Sequence, residues 1–381
     1  MIWDDRFRAY DFGPQHPFDV YSRYLATRLL EAAPELRKER VRWIRDVAPA
    51  ERSQLEMFHH ARYLDRVQQL SSLEESEPLD QGDTPSFPGC YEAAARIAGG
   101  TLRAARGLSE GAGARFFQPA GGLHHAHPDR ASGFCIFNDV ALTIAGLQRW
   151  KGPRYRIAYV DIDAHHGDGV MYGFYESGSI LDIDFHQDGR TIFPGTGFPR
   201  ESGKGDGAGS KVNLPLPPGA GDDAFIPLFR RIVPPLLREF RPDVILLQHG
   251  VDAHAQDLLA QLQYTSRSYH LAVATVRELA HELCGDRIIV TGGGGYTPEH
   301  VALRLAAAGI ALAEPAVLPD PTAPLPGPWR TEFNDRYPGS SPRSWDEPLV
   351  LERSPWGPED GERLVREISH HLGRNFPPIT E

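Results

Sequence analysis

The chain has 381 residues, 41% hydrophobic and 24% charged, with 40 Lys and Arg against 51 Asp and Glu for a formal charge of −11. This make-up supplies a sizeable core and excludes a disordered or fibrous chain, and the acidity argues against a protein that works by neutralising nucleic-acid phosphates. No run nears the roughly 20 apolar residues of a membrane span, and MIWDDRFRAYDFG lacks the basic and apolar regions of a leader, so a cytoplasmic protein without nucleic-acid or membrane partners is expected.

In chain order, apolar periodicity predicts helices over Val20–Ala33, Leu55–Leu70 and Cys90–Arg106, then a strand over Arg115–Gln118. A helix over Asp139–Trp150 follows Asn138, a suitable N-cap. Strands are predicted over Arg156–Asp163, Ile180–His186, Val244–Gln248 and Arg287–Thr291, with helices over Asp223–Phe240, Ser266–Leu283 and Thr297–Ala313. Most of the strands are apolar on both faces and are spaced widely enough for crossover helices, which indicates a parallel sheet covered on both sides. Residues 315–358, with six prolines between Pro315 and Pro328, read as an extended surface arm. Residues 359–374 place Leu364, Ile368 and Leu372 on one stripe, so a helix there is expected to dock back. Without an internal repeat or composition break, one α/β domain spans residues 1–381.

The 38 glycines and 33 prolines are about a fifth of the chain, where about an eighth is usual, so loops must be many. Each strand runs into a Gly-rich polar loop: GGLHHAH, DIDAHHGDG, HQDGRTIFPGTG, QHGVDAHAQD and GGGGYT. Ligands of open parallel sheets bind outside the carboxyl ends of strands, so these five loops converge on one rim. Cys90, Cys135 and Cys284 are isolated and odd in number, which leaves His and carboxylates as metal ligands.

In DIDAHHGDG, residues two apart on an extended segment point the same way, so Asp163 and His165 can reach one ion, and Asp252 can supply a third ligand. Two carboxylates and one imidazole suit Zn²⁺ with an open fourth position, the catalytic arrangement. Two Asp ligands roughly cancel the ion's charge and acidify its water less than an all-His site would, so a general base is required. His124 and His125 offer one, with Asp161 and Asp168 available to hold their far nitrogens. Tyr296 follows Gly292–Gly295, a run that lets backbone approach a ligand, and its phenol suits stabilising an oxyanion. Phe134 and Phe193 can wall a narrow apolar slot.

These motifs, in this order, resemble the zinc-dependent histone deacetylase superfamily, especially its bacterial acetoin-utilisation branch, from about Tyr10 (YDFGPQHP) through the loop after Tyr296. The resemblance implies the arginase/deacetylase fold, a single domain with a parallel eight-stranded sheet flanked by helices. It implies one Zn²⁺ on Asp163, His165 and Asp252, with His124 and His125 as the general base/acid pair and Tyr296 polarising an acetyl carbonyl. Phe134 and Phe193, with the glycines Gly133 and Gly294 beside them, would hold the substrate, and Asp83 would be the rim aspartate that binds its backbone amides. A structural K⁺ is implied beneath the zinc, on oxygens of Asp161, Asp163 and His165, and Asp184 stands where many members have Ser. The chain also departs from the family at HPFDVYSRY, which lacks the usual basic-proline run, and at Leu258, where Pro is common. The implied substrate is an acetylated protein or a small acetylated amine. Acetylpolyamine amidohydrolysis, a binuclear manganese ureohydrolase and a non-catalytic acyl-lysine binder are the other readings.

Overall fold

The computed structural model describes residues 1–34, 36, 41–340, 342–346, 349 and 351–372. In chain order these form α1 (Val20–Ala32), α2 (Arg52–Leu55), α3 (Ala61–Leu70), α4 (Cys90–Ser109), β1 (Arg115–Gln118), α5 (Asp139–Lys151), β2 (Ile157–Asp161), α6 (Asp168–Gly173) and β3 (Ile180–Gln187). Then come β4 (Lys211–Leu216), α7 (Asp222–Phe240), β5 (Val244–Gln248), α8 (Ser266–Cys284), β6 (Ile288–Thr291), α9 (Pro298–Ala313), α10 (Gly327–Arg336) and α11 (Pro358–His371). All strands pair in parallel, in the order β1-β6-β5-β2-β3-β4.

Both faces of the sheet are buried, as the apolar strands require. On β2, Ala158 and Val160 join one core with α1, α7, α8 and α9, while Ile157 and Tyr159 join a second core with α3, α4 and α5. Strand β5 divides the same way, Ile245 and Leu247 against Val244 and Leu246. Successive side chains of a strand leave on opposite faces, so a strand covered on both sides must be apolar throughout.

Among the described residues the sheet has six strands, which corrects the expected eight. Beyond β1 the chain makes only single-residue contacts: Ile2 N–H donates to the Phe117 carbonyl at 2.8 Å, and Ile2 and Ile44 form an isolated bridge. Pairing that short does not make a strand. Strand β4 escapes sequence reading because Lys211, Asn213 and Pro215 interrupt its apolar pattern. Lys211 is nonetheless buried, its ammonium donating to the Ile180 carbonyl at 2.7 Å and Ser210 Oγ at 2.8 Å. The segment read as an extended arm contains α10, which carries Pro328 in its first turn and buries Trp329 and Phe333; proline is tolerated there because its missing N–H has no partner to lose. Of the expected terminal helix, α11 ends at His371, and residues 373 and 374 lie outside the described part.

The helix expected over Leu55–Leu70 is broken at residues 56–60. The His60 N–H is taken by the Pro128 carbonyl at 2.7 Å, and His59 is drawn inside. His59 Nδ1–H donates to the His127 carbonyl at 3.0 Å and Nε2 accepts the Asn138 N–H at 3.0 Å, a pair of bonds that requires the neutral ring. Burial pushes this imidazole down to about 3. Because the unfolded ring titrates near 6.5, its contribution to stability is complete above that value and is lost as pH falls from 6.5 toward 3. Lowering the pH from 7 to 5 should therefore cost about 2 kcal/mol from His59 alone. Denaturant unfolding at the two pH values measures the loss, and His59→Gln should remove that part of it; an unchanged pH dependence in the variant would refute the assignment.

Candidate active site

The chain runs outward from β2 through β3 to β4, returns to pair β5 with β2, and continues through β6 toward β1. The crevice between the carboxyl ends of β2 and β5 is thus the switch point where such sheets bind ligands. Asp163 and His165 follow β2 and Asp252 follows β5, and they meet there with one ligand atom each within 4.8 Å of the others, all buried. His165 Nδ1 lies 3.2 Å from Asp163 Oδ1 and 2.8 Å from Asp252 Oδ2. The remaining oxygens are held by the protein: Asp163 Oδ2 accepts from Gln248 Nε2 and Gly294 N–H, both at 2.7 Å, and Asp252 Oδ1 from Ala164 N–H at 2.7 Å. One oxygen of each carboxylate is therefore turned to a common point. Burial and the neighbouring Asp163 push Asp252 up, and its carboxylates push His165 up against the effect of burial. Two crowded anions and an imidazole fit a divalent cation, which would relieve both strains.

Beside the triad, two histidine–aspartate pairs lie side by side. His124 Nδ1 is 2.7 Å from Asp161 Oδ2 and His125 Nδ1 is 2.7 Å from Asp168 Oδ1, with the two Nε2 atoms 3.0 Å apart. They differ in charge. Burial opposes the charged form of His124, but Asp161 and Asp163 overcome it and raise the ring to about 10. For His125, burial and the charge on His124 lower it to about 4, leaving a neutral ring. Tyr296 is buried, which holds its phenol protonated well above the usual range.

Five rings form an arc around the triad. Phe193 meets His125 edge-on at 5.0 Å, His125 lies 6.0 Å from His165, His165 6.2 Å from Tyr296, and Tyr296 5.9 Å from Phe134. Phe134 has φ 66, a left-handed conformation that costs energy for a bulky residue. It is kept there because its carbonyl accepts the Tyr10 hydroxyl at 2.6 Å and its N–H donates to Thr84 Oγ1 at 3.0 Å. Gly133 sits between His125 and Phe193: a Cβ there would lie 2.6 Å from the His125 ring and 2.8 Å from Phe193. Asp83 is exposed beside Thr84, its carbonyl 3.4 Å from His16 Nε2. Gly294 packs on the carboxylates of the triad.

Several contributors escaped sequence reading. Gln248 holds Asp163, Tyr159 donates to Asp161 Oδ2 at 2.5 Å, and Asp257 accepts the Tyr296 N–H at 2.9 Å. Arg23, singled out in the sequence only as part of the HPFDVYSRY segment that departs from the family, is buried and donates to the Gly293 carbonyl at 2.6 Å, which braces the loop before Tyr296. His127 also reaches Asp168, at 3.0 Å from Oδ2; its alternation with His125 in HHAH was a signal available in the sequence. Asn138 caps α5 through Ala141 N–H and also donates to the carbonyls of His124 and Ala126, which fixes the dihistidine loop.

Residues 16–311 match the model of the histone deacetylase domain. The chain belongs to the histone deacetylase family. Within it, the acetoin-utilisation branch is indicated by 35% identity to acetoin utilization protein AcuC of Bacillus subtilis (strain 168), over 98% of this chain and 96% of that protein. The AcuC protein of Staphylococcus xylosus is 33% identical over 91% of this chain and 90% of its own. A crystal structure of the HDA15 HD domain superimposes with TM-score 0.72 at 27% identity, covering 82% of this chain and 90% of that one. This deacetylase-family chain is thus a hydrolase by class, with the α/β fold of its family. Among the described residues, no helix is long and apolar enough to cross a membrane.

Proposed function

We propose that the protein hydrolyses N-acetyl-lysine in a protein or peptide to lysine and acetate, with one Zn²⁺ per chain held by Asp163, His165 and Asp252. The observation that carries this reading is the buried carboxylate–imidazole–carboxylate set facing, in one slot, a neutral His125 and a protonated Tyr296. When bound there, the ion would polarise the acetyl carbonyl and favour ionisation of a water. Phe134, Phe193 and Gly133 leave a narrow apolar passage that suits a lysine's methylenes, and Asp83 stands at its rim to receive backbone amides. Tyr296 donates its hydroxyl hydrogen to the carbonyl oxygen as negative charge builds there. His125, neutral and oriented by Asp168, takes the proton from the attacking water. It returns that proton to the amine nitrogen as the C–N bond breaks, so one imidazole serves as base and then acid. His124, kept charged by Asp161, adds positive potential beside the oxyanion.

A structural K⁺ is part of the same proposal. Among the described residues, no hydrogen bond reaches the buried main-chain carbonyls of Asp163 or His165, which leaves them for a cation beside Asp161. Asp184, beneath it, accepts from Gly167 N–H at 2.7 Å and pairs with His186 Nδ1 at 2.6 Å. Three free, buried cysteines agree with a reducing, cytoplasmic setting.

The binuclear ureohydrolase reading needs a second carboxylate two residues after Asp252. That position is His254, whose ring stacks on His300 with centroids 3.9 Å apart, which favours a single ion. Elemental analysis giving one Zn²⁺ per chain, together with acetate release from acetyl-lysine peptides, tests the proposal; two Mn²⁺ per chain or no release from any acetyl amide would reject it. His125→Ala should keep fold and metal while kcat falls about 10²–10⁴-fold, and near-normal turnover in that variant would remove His125 from the mechanism.

A further inference from the structure

Among the described residues six large apolar side chains are exposed, and three of them, Phe193 (39%), Leu258 (71%) and Leu259 (42%), belong to two loops at the mouth of the slot. The loop carrying both leucines is tied down at each end. Its Gln256 carbonyl accepts the Thr297 hydroxyl at 2.7 Å and Asp257 accepts the Tyr296 N–H at 2.9 Å. At the other end Gln261 N–H donates to Gln187 Oε1 at 2.8 Å, and Gln187 Nε2 to Thr191 Oγ1 at 3.1 Å, two residues before Phe193. The leucines therefore stand between the backbone of Tyr296 and the loop that carries Phe193. Asp257 accepts the Leu259 N–H at 2.9 Å as well, so its carboxylate is spent inside the loop while Leu258 is left in solvent.

The carboxylates on this side of the mouth already have partners. Asp257 is consumed as described, and Asp188 is bonded to Arg190 Nε at 3.0 Å. A leaving amine with several ammonium groups, as in an acetylated polyamine, would need carboxylates here; a leucine pair continuous with an apolar slot needs a hydrophobic neighbour.

We infer that Leu258 and Leu259, with Phe193, form a collar that reads the residue next to the acetyl-lysine and selects a large apolar side chain there, so that the substrate is a protein or peptide. The inference rests on the proposed deacetylation. It commits the collar to the peptide segment flanking the acetyl group, because the collar is continuous with the slot that receives that group.

The test measures kcat/KM of the zinc-loaded protein on acetyl-lysine peptides with Leu or Ser immediately before or after the acetyl-lysine, on free Nε-acetyl-lysine and on N-acetylspermidine. Expected is a preference of about tenfold or more for Leu at one of the two positions, with N-acetylspermidine slower than either peptide. Leu258→Ser should bring that preference to within twofold and leave turnover of free Nε-acetyl-lysine unchanged. A wild-type ratio within twofold, a ratio that survives Leu258→Ser, or faster turnover of N-acetylspermidine would overturn the collar while leaving deacetylation standing. So would a change of oligomeric state in Leu258→Ser by light scattering, which would make the leucines a subunit contact. No turnover of any of these amides would instead reject the reaction itself.

Discussion

Tyr296→Phe lowers kcat on an acetyl-lysine peptide by about 10²–10³-fold, the loss typical of one oxyanion donor, while KM, fold and metal content stay as they are. The hydroxyl is the only atom removed. The ring keeps its edge contacts with His165 and Phe134, and the backbone N–H keeps its bond to Asp257. Burial holds the phenol protonated well above its ordinary range, so the group is a donor throughout the working pH of the protein. A hydrogen bond that forms only as the carbonyl oxygen gains charge appears in kcat and not in substrate affinity. Steady-state kinetics with parallel metal analysis decides the matter, and a variant as active as the parent would take Tyr296 out of the reaction.

Gly294→Ala should empty the metal site without unfolding the chain. The Gly294 N–H donates to Asp163 Oδ2, and a Cβ on this residue would lie 2.0 Å from Asp252 Oδ2 and 3.0 Å from Asp163 Oδ2. Neither carboxylate can withdraw easily, since Asp252 is tied to Ala164 N–H and both are buried among other donors. The methyl group must push one ligand off the common point, and a triad missing one member holds its ion far more weakly. We expect bound metal to fall to about a tenth of the parent's or less, in line with the 10–100-fold losses seen when ligands are disturbed. Gly327→Ala, where a Cβ meets nothing within 4 Å, is the matched control and should retain its metal. Full occupancy in Gly294→Ala would show that the loop yields and that the close approach is not what positions Asp252.

Much of this site was legible because its signals are local. Asp163 and His165 are two apart on extended chain, Asn138 sits directly before an apolar helical stripe, and five strands announced themselves by apolar runs. Other parts depended on contacts between distant segments. Strand β4 is hidden by Lys211, whose ammonium is satisfied by the Ile180 carbonyl at the start of β3 and by Ser210 Oγ. The break between α2 and α3 exists because Pro128, nearly 70 residues on, takes the His60 N–H. Gln248 looks like an ordinary polar residue until the fold brings it to Asp163.

By itself the sequence determined the α/β class and the polar, Gly-rich loops at the strand tips, because alternation, capping and residue spacing are properties of neighbouring residues, and its motifs in their order resembled the family to which the chain belongs. Tertiary structure alone decided the number of strands, the meeting of Asp252 with Asp163 and His165, and the division of His124 and His125 into a charged and a neutral ring. Those depend on which segments lie side by side and on how far burial in a low-dielectric interior opposes each charge.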